Sequence, residues 1–179
     1  LENVEVRYSG DTDGNGTGGG QTPSIQIYHE SSVPAEQTRL SNVRIKSGYS
    51  NALNVLAGNP ILENIHVQGN LGVAYYFELD TNPNVSGLTA SGNKGDAIFI
   101  QGGNLTSDRT WDYGVLPISL TTNLTINNSL EATTTLTIMP GTVVKIPRGD
   151  FIHSQTGTLL ALGTAAQPIV FTSTSDDSL

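Results

Sequence analysis

The nine residues LSNVRIKSG, Leu40–Gly48, return almost unchanged as LENIHVQGN, Leu62–Asn70. An earlier copy, LENVEVRYSG, fills Leu1–Gly10, and a looser one, VSGLTASGN, fills Val85–Asn93. The step from Leu40 to Leu62 is 22 residues and that from Leu62 to Val85 is 23. Each phrase opens on an apolar residue: Leu1, Leu40, Leu62, Val85. A second follows three places on (Val4, Val43, Ile65, Leu88) and a third two places later (Val6, Ile45, Val67, Ala90). The last pair alternates at period two, the pattern of a strand with one buried face.

A second phrase keeps the same interval. ALNVLAG starts at Ala52, AYYFEL at Ala74 and AIFIQGG at Ala97, in steps of 22 and 23. SIQIYHE at Ser24 fits the same slot, displaced by the longer stretch ESSVPAEQTR. Gly, Asn and Pro clusters at 58–60, 81–84 and 92–96 separate the phrases as turns. Short strands recurring in register at a fixed period, with no helix-length apolar pattern, indicate a solenoid. A barrel or sandwich would show short strands but would not require one phrase to return. In a coil, equivalent residues stack, so Leu1, Leu40 and Leu62 should share a column. Asn3, Asn42 and Asn64 fall into register as well. Two readings stand for them: a ladder of side-chain amides bonding from turn to turn, or a turn preference of Asn alone. Gly87 takes that slot in the fourth copy, so a ladder would end there.

Composition agrees with a β-rich chain. Of 179 residues, 36% are hydrophobic and only 13% charged, so the polarity comes from Ser, Thr, Asn, Gln and Gly. Thr suits strands, and Gly, Asn and Ser suit turns. With a net charge of −8 and 8 Lys and Arg, a nucleic-acid partner is not expected, because that surface must be basic. No cysteine is present, which removes disulfides, thiolate nucleophiles and Cys-ligated zinc. No apolar run reaches the length of a membrane span, so membrane insertion is not expected. The chain opens at Leu without a visible signal peptide and reads as a processed form or a piece of something longer.

The second half is worded differently. Strand candidates are LTI at Leu124, LTI at Leu136, VVKI at Val143, FIHS at Phe151, LLAL at Leu159 and IVFTS at Ile169, with turns at Pro140-Gly141 and Pro147–Gly149. Leu136 to Leu159 is again 23. TLTIMPGTVVKI followed by GTLLALGTAAQPIVFTS, with Thr110-Trp111 as a lead-in and the LxNVxV phrase upstream, resembles secreted or surface bacterial right-handed parallel β-helix repeat proteins. That resemblance implies an all-β, right-handed parallel β-helix with rungs of about 22–23 residues over 1–179. It would comprise LxNVxV-type rungs in 1–103 and Thr-rich PGT/PIVFTS-type rungs in 104–179, seven or eight rungs by length. It also implies an extracellular or cell-surface location. In such proteins the PGT and PIVFTS phrases usually precede the LxNVxV rungs. Here the order is cyclically shifted, as in one unit of a longer array.

A β-helix leaves an open sheet edge at each end, which invites pairing unless a cap, charge or bulge blocks it. No amphipathic helix stands near Leu1–Val6 or Ile169–Thr174. Complementary ends give a heterologous contact that grows into filaments. The expected partner is therefore the chain itself, as a head-to-tail homopolymer with Leu1, Val4, Val6, Ile169 and Phe171 at the subunit interface. The alternatives are an adhesin or carbohydrate-binding module of a larger surface protein, with Tyr75 and Tyr76 contacting a polysaccharide, and a polysaccharide lyase or hydrolase.

An enzyme is not expected. Hydrolysis needs two facing carboxylates, and Glu2 and Glu63 share a slot that holds Ser41 between them and alternates outward. Asp108, Asp112 and Asp150 keep no common register. Arg44 and His66 share an outward slot. His29, His66 and His153 lack metal spacing. The loop DTDGNGTGGG, Asp11–Gly20, offers Asp11, Asp13, Asn15 and Thr17 as alternating oxygen donors, with Gly16 at the sharp turn of a calcium loop. Its twelfth position is Thr22 rather than the bidentate Glu. Calcium and a Gly-rich surface loop are the two readings, and no cofactor is required. Trp111, the single Trp, is expected to be buried at a rung junction.

Overall fold

The computed structural model describes residues 1–9, 22–28, 38–127 and 133–178, and the chain divides into two compact units, Leu1–Ile98 and Phe99–Leu179. Every regular element among the described residues is a β-strand. The strands are parallel and stack into a β-solenoid of about six turns.

In the first unit the strands are β1 (Glu2–Arg7), β2 (Ile25–Ile27), β3 (Arg39–Lys46), β4 (Leu53–Val55), β5 (Ile61–Gln68), β6 (Val73–Phe77), β7 (Asn84–Ser86) and β8 (Thr89–Ser91). β9 (Gly95–Ile100) crosses the division. β1, β3 and β5 pair in that order, and β7 and β8 both pair with β5. β2, β4 and β6 form a second parallel ladder. The repeated phrase thus forms the first ladder and the Ala52/Ala74 phrase the second.

Register stacks Val4 on Val43 on Ile65, Val6 on Ile45 on Val67 on Ala90, and Leu40 on Leu62 on Val85. Leu40, Val43, Ile45, Leu62, Ile65 and Val67 are all at most 2% exposed. In a flat strand, residues three apart point to opposite faces, yet Leu40 and Val43 are both inside. The residue between them resolves the conflict. Asn3, Asn42 and Asn64 have φ of 53°, 54° and 51°, a left-handed conformation that Asn tolerates better than most residues. Each bends its strand into a corner and brings both apolar positions inward. In the fourth turn Gly87, at φ 65°, takes the corner, and the strand there separates into β7 and β8.

The asparagines form the ladder. Asn42 Nδ2 donates to Asn3 Oδ1 and Asn64 Nδ2 to Asn42 Oδ1, each at 3.2 Å. A Cβ on Gly87 would lie 2.5 Å from Asn64 Oδ1, so Asn64 already occupies the space where the next rung would stand. A second left-handed column closes the same strands at Tyr8, Ser47, Gly69 and Gly92. Beyond it, Asn70 Oδ1 accepts from Gly48 N at 2.7 Å, and Asn70 Nδ2 donates to Asn93 Oδ1 at 2.7 Å. Asn70 is 2% exposed; these bonds satisfy polar groups that would be costly to bury unpaired.

In the second unit the strands are β10 (Gly103–Leu105), β11 (Arg109–Trp111), β12 (Ile118–Leu120), β13 (Leu124–Ile126), β14 (Thr135–Ile138), β15 (Val143–Ile146), β16 (Ile152–Ser154), β17 (Thr158–Ala161) and β18 (Val170–Ser173). They form three parallel ladders: β10-β13-β16, β11-β14-β17 and β12-β15-β18. Leu124, Ile126, Leu136, Ile138 and Val144 are at most 1% exposed, and Trp111 is buried opposite Ile138. The interval of 23 holds only between β14 and β17, where Leu136 faces Leu159. Gly103 faces Leu124, a step of 21, whereas Leu124 faces Ile152, a step of 28. Longer connections in several turns use residues without adding rungs, which is why the solenoid has about six turns rather than the seven or eight expected from length.

Candidate functional site

The apolar columns reach the edge strands without changing chemistry at most positions. At β1, Val4 and Val6 continue the columns of Val43 and Ile45 but are half-buried, and Leu1 is 60% exposed. Leu1 is tied to the next strand through its backbone: its N donates to Arg39 O (2.8 Å) and its O accepts from Ser41 N (2.9 Å). At β2, Ile25 is half-buried and Ile27 buried. Among the described residues, β1 and β2 each have a ladder partner on one side only.

The second unit has an edge of the same kind. Ile152 continues the column of Leu124 and Leu159 that of Leu136, and both are half-buried. Phe171 stands opposite Val144, whose side chain is fully buried, so Phe171 occupies an inward position while remaining 45% exposed. Ile169, just before β18, is half-buried. Two columns change: Ser154 faces Ile126 and Ser173 faces Ile146. β16, β17 and β18 each end their ladders among the described residues.

A polar turn holds β18. Asp176 accepts from Thr172 Oγ1 at 2.7 Å and from Ser178 N and Oγ at 3.0 and 2.6 Å, while Lys145 Nζ donates to its backbone O at 2.6 Å. Hydrogen bonds from Ser178 and Thr172 stabilise the carboxylate and lower its pKa to about 2.

The aromatic pair does not form one surface. Tyr75 is fully buried, in register with Leu53, and its hydroxyl donates to Ile65 O and Thr89 O, both at 2.9 Å. It is a core residue and cannot stack on a ligand. Burial pushes its phenol above the usual range. The expectation of Tyr75 as a ligand contact fails because the alternation of β6 puts Tyr75 and Phe77 inside together. Tyr76, on the outward face, is half-buried. Asp11, Asp13, Asn15 and Thr17 lie outside the described residues, as does His29. Among the described residues no group of three or more His, Asp or Glu is gathered as a metal site. His66 Nδ1 contacts Thr89 Oγ1 at 2.8 Å, and His153 meets Phe151 edge-on with centroids 6.2 Å apart.

One groove lies on the outer face of the β1-β3-β5 ladder, about 320 Å³ in volume and lined by Asn3, Val4, Glu5, Asn42, Arg44 and His66. Arg44 and His66 face each other in register. Their shared outward slot is legible in the sequence; the depression beside them is not, since it arises at the left-handed Asn corner. Glu5 accepts from Lys46 and Arg7, which together hold its carboxyl below the usual range.

No protein-family model matches the chain, and no curated protein or solved structure matches it either.

Proposed function

We propose that this chain is a structural β-solenoid, a secreted or surface-displayed scaffold that lengthens by head-to-tail stacking of its copies. The observation that carries the reading is the continuation of the apolar columns, in register, into half-exposed residues on edge strands. Val4, Val6, Leu159 and Phe171 are the kind of residues that fill the interior columns, and among the described residues no inward charge interrupts them. Natural edges are blunted by inward charges or bulges. These edges instead present ladder groups and an apolar column to whatever adds the next turn, and a second copy supplies both. The extracellular placement rests on the resemblance of the PGT and PIVFTS phrases to secreted β-helix proteins.

Chain order sets how copies would meet. In the first unit each bent strand precedes a strand of the second ladder, as β1 precedes β2; in the second unit β16 and β17 precede β18. A copy added in the same chain direction lays β1 over β16 and β17, and β2 over β18. Leu1, before the corner, then covers Ile152; Val4 and Val6, after it, cover Leu159 and Ala161 on β17; and Phe171 meets Ile25 and Ile27.

The contact is heterologous, so each end can be blocked alone. Val4→Lys blocks one end and Phe171→Lys the other. Negative-stain microscopy and light scattering across a concentration series should show filaments of uniform width for the unaltered chain. Each variant alone should stay monomeric, and an equimolar mixture should stop at dimers, because each variant keeps the end that the other lacks. Discrete monomers of the unaltered chain at every concentration would overturn the proposal.

A further inference from the structure

We infer that the groove beside the asparagine ladder binds an oxyanion: a sulfate, phosphate or carboxylate group. This goes beyond the stacking function and does not depend on it, because the lining comes from β1, β3 and β5 of one copy, although its β1 margin (Asn3, Val4 and Glu5) belongs to the edge strand.

The chain carries a net charge of −8 with 8 Lys and Arg in all. Four of those cations, Arg7, Arg39, Arg44 and Lys46, lie on β1 and β3. The β1-β3-β5 ladder holds three carboxylates, Glu2, Glu5 and Glu63. One ladder of a strongly acidic protein is therefore net cationic. Glu5 is engaged by Arg7 and by Lys46 (3.1 Å), and Glu63 by Arg39 (2.6 Å). Among the described residues Arg44 has no carboxylate partner, and it lines the groove. A guanidinium offers five donors in a planar fork that suits an oxyanion.

Further polar groups surround Arg44. His66 stands next to Arg44 in register, and the tautomer in which Nδ1 accepts from the Thr89 hydroxyl leaves Nε2–H to donate to a ligand. Asn3 is the open end of the ladder: its Oδ1 accepts from Asn42, and its Nδ2 is not used by the ladder. Guanidinium, imidazole and amide thus line one depression. Glu5, the one carboxylate among the described lining residues, stands in register with Arg44 but is engaged by Arg7 and Lys46.

The test is a two-dimensional NMR titration of the full chain with sodium sulfate, and separately with sodium phosphate, at ionic strength held constant with sodium chloride. Saturable shifts confined to amides of 3–5, 42–44 and 64–66 are expected. Arg44→Gln should weaken binding about tenfold or more, the loss of one charge-assisted contact. Arg44→Lys should recover part of it, and Lys94→Gln should leave it unchanged. A second arm passes the chain over immobilised dextran sulfate and over neutral dextran. Retention on the sulfated polymer that Arg44→Gln abolishes assigns the group to a polymer; saturable shifts without retention assign it to a free anion. Shifts that grow linearly, that chloride reproduces, or that Arg44→Gln leaves intact would overturn the site.

Discussion

Asn42 sits at the middle of the asparagine ladder, and two substitutions there separate its two roles. Asn42→Gly keeps the left-handed backbone at no steric cost and removes both amide bonds, to Asn3 and from Asn64, each 3.2 Å long. The site is exposed, so each bond contributes about 0.5 kcal/mol, the low end for a net hydrogen bond, and with the ~0.5–1 kcal/mol backbone-entropy cost of glycine the loss is about 1.5–2 kcal/mol. Asn42→Ala removes the same bonds and also holds a Cβ at φ 54°, which costs about 1–2 kcal/mol more. The expected loss is about 2–3 kcal/mol. In an ordinary strand Ala is the better of the two by about 0.5–1 kcal/mol; here the order should reverse. Urea unfolding followed by far-UV circular dichroism gives both values, with the slope checked for constancy. An alanine variant as stable as the glycine variant would refute the corner as the reason for asparagine at this position.

Three further outcomes follow from single residues. Gly87→Ala should destabilise by about 1–2 kcal/mol or more, because its Cβ is held at φ 65° and meets Asn64 Oδ1 at 2.5 Å, and Gly87→Asn should not regain stability through a further rung, since Asn64 already fills that place; paired urea melts measure it. The Asp176 carboxyl, held at about 2 against an ordinary 3.8, stabilises the turn over β18 above the ordinary value and loses that contribution as pH falls from about 4 through about 2; its side-chain carbon resonance should titrate near 2, and a midpoint near 3.8 would contradict the Thr172 and Ser178 bonds. Tyr75→Phe should cost about 1–2 kcal/mol, since it removes the donor shared by two buried or half-buried carbonyls, and thermal melts should show it without loss of β-sheet signal.

The parts of this fold that could be read in advance are those set by repetition. Leu40, Val43 and Ile45 recur in Leu62, Ile65 and Val67, so their stacking followed from register alone; register also put the asparagines in one column, but a ladder and a turn preference were both open there until the amide bonds decided for the ladder. The corner did not follow. An apolar pair three residues apart contradicts a period of two, and that contradiction was the available signal of a left-handed residue between them. In the second unit the one interval of 23 between β14 and β17 suggested a uniform beat, because unequal connections leave no mark on the phrase itself. Tyr75 illustrates a different limit. Alternation placed Tyr75 and Tyr76 on opposite faces but did not say which face was the interior; the hydroxyl bonds to Ile65 and Thr89 decide it. The anion groove was half legible. Arg44 and His66 share an outward slot in sequence, but the pairing of Glu5 with Lys46 and Arg7, which leaves Arg44 without a carboxylate, is a matter of side-chain geometry.

In a solenoid each turn contacts only its neighbours, so stability is a sum of turn-to-turn interfaces. An edge turn has one interface where an interior turn has two. The exposures follow that rule: Val43 is fully buried, whereas Val4 in the same column is half-buried, and Val144 is fully buried, whereas Phe171 is 45% exposed. If a second copy supplies the missing interface, folding and association are linked, and the folded state gains free energy with protein concentration. The melting temperature of the unaltered chain should then climb steadily over a hundredfold rise in concentration, by up to about 2.7 kcal/mol of added stability where the concentration reaches a hundred times the dissociation constant. Val4→Lys should melt at one temperature throughout, because it cannot act as the incoming end. A melting temperature of the unaltered chain that is equally flat would mean that the half-exposed columns are simply the margin of the fold, and stacking would lose its energetic basis.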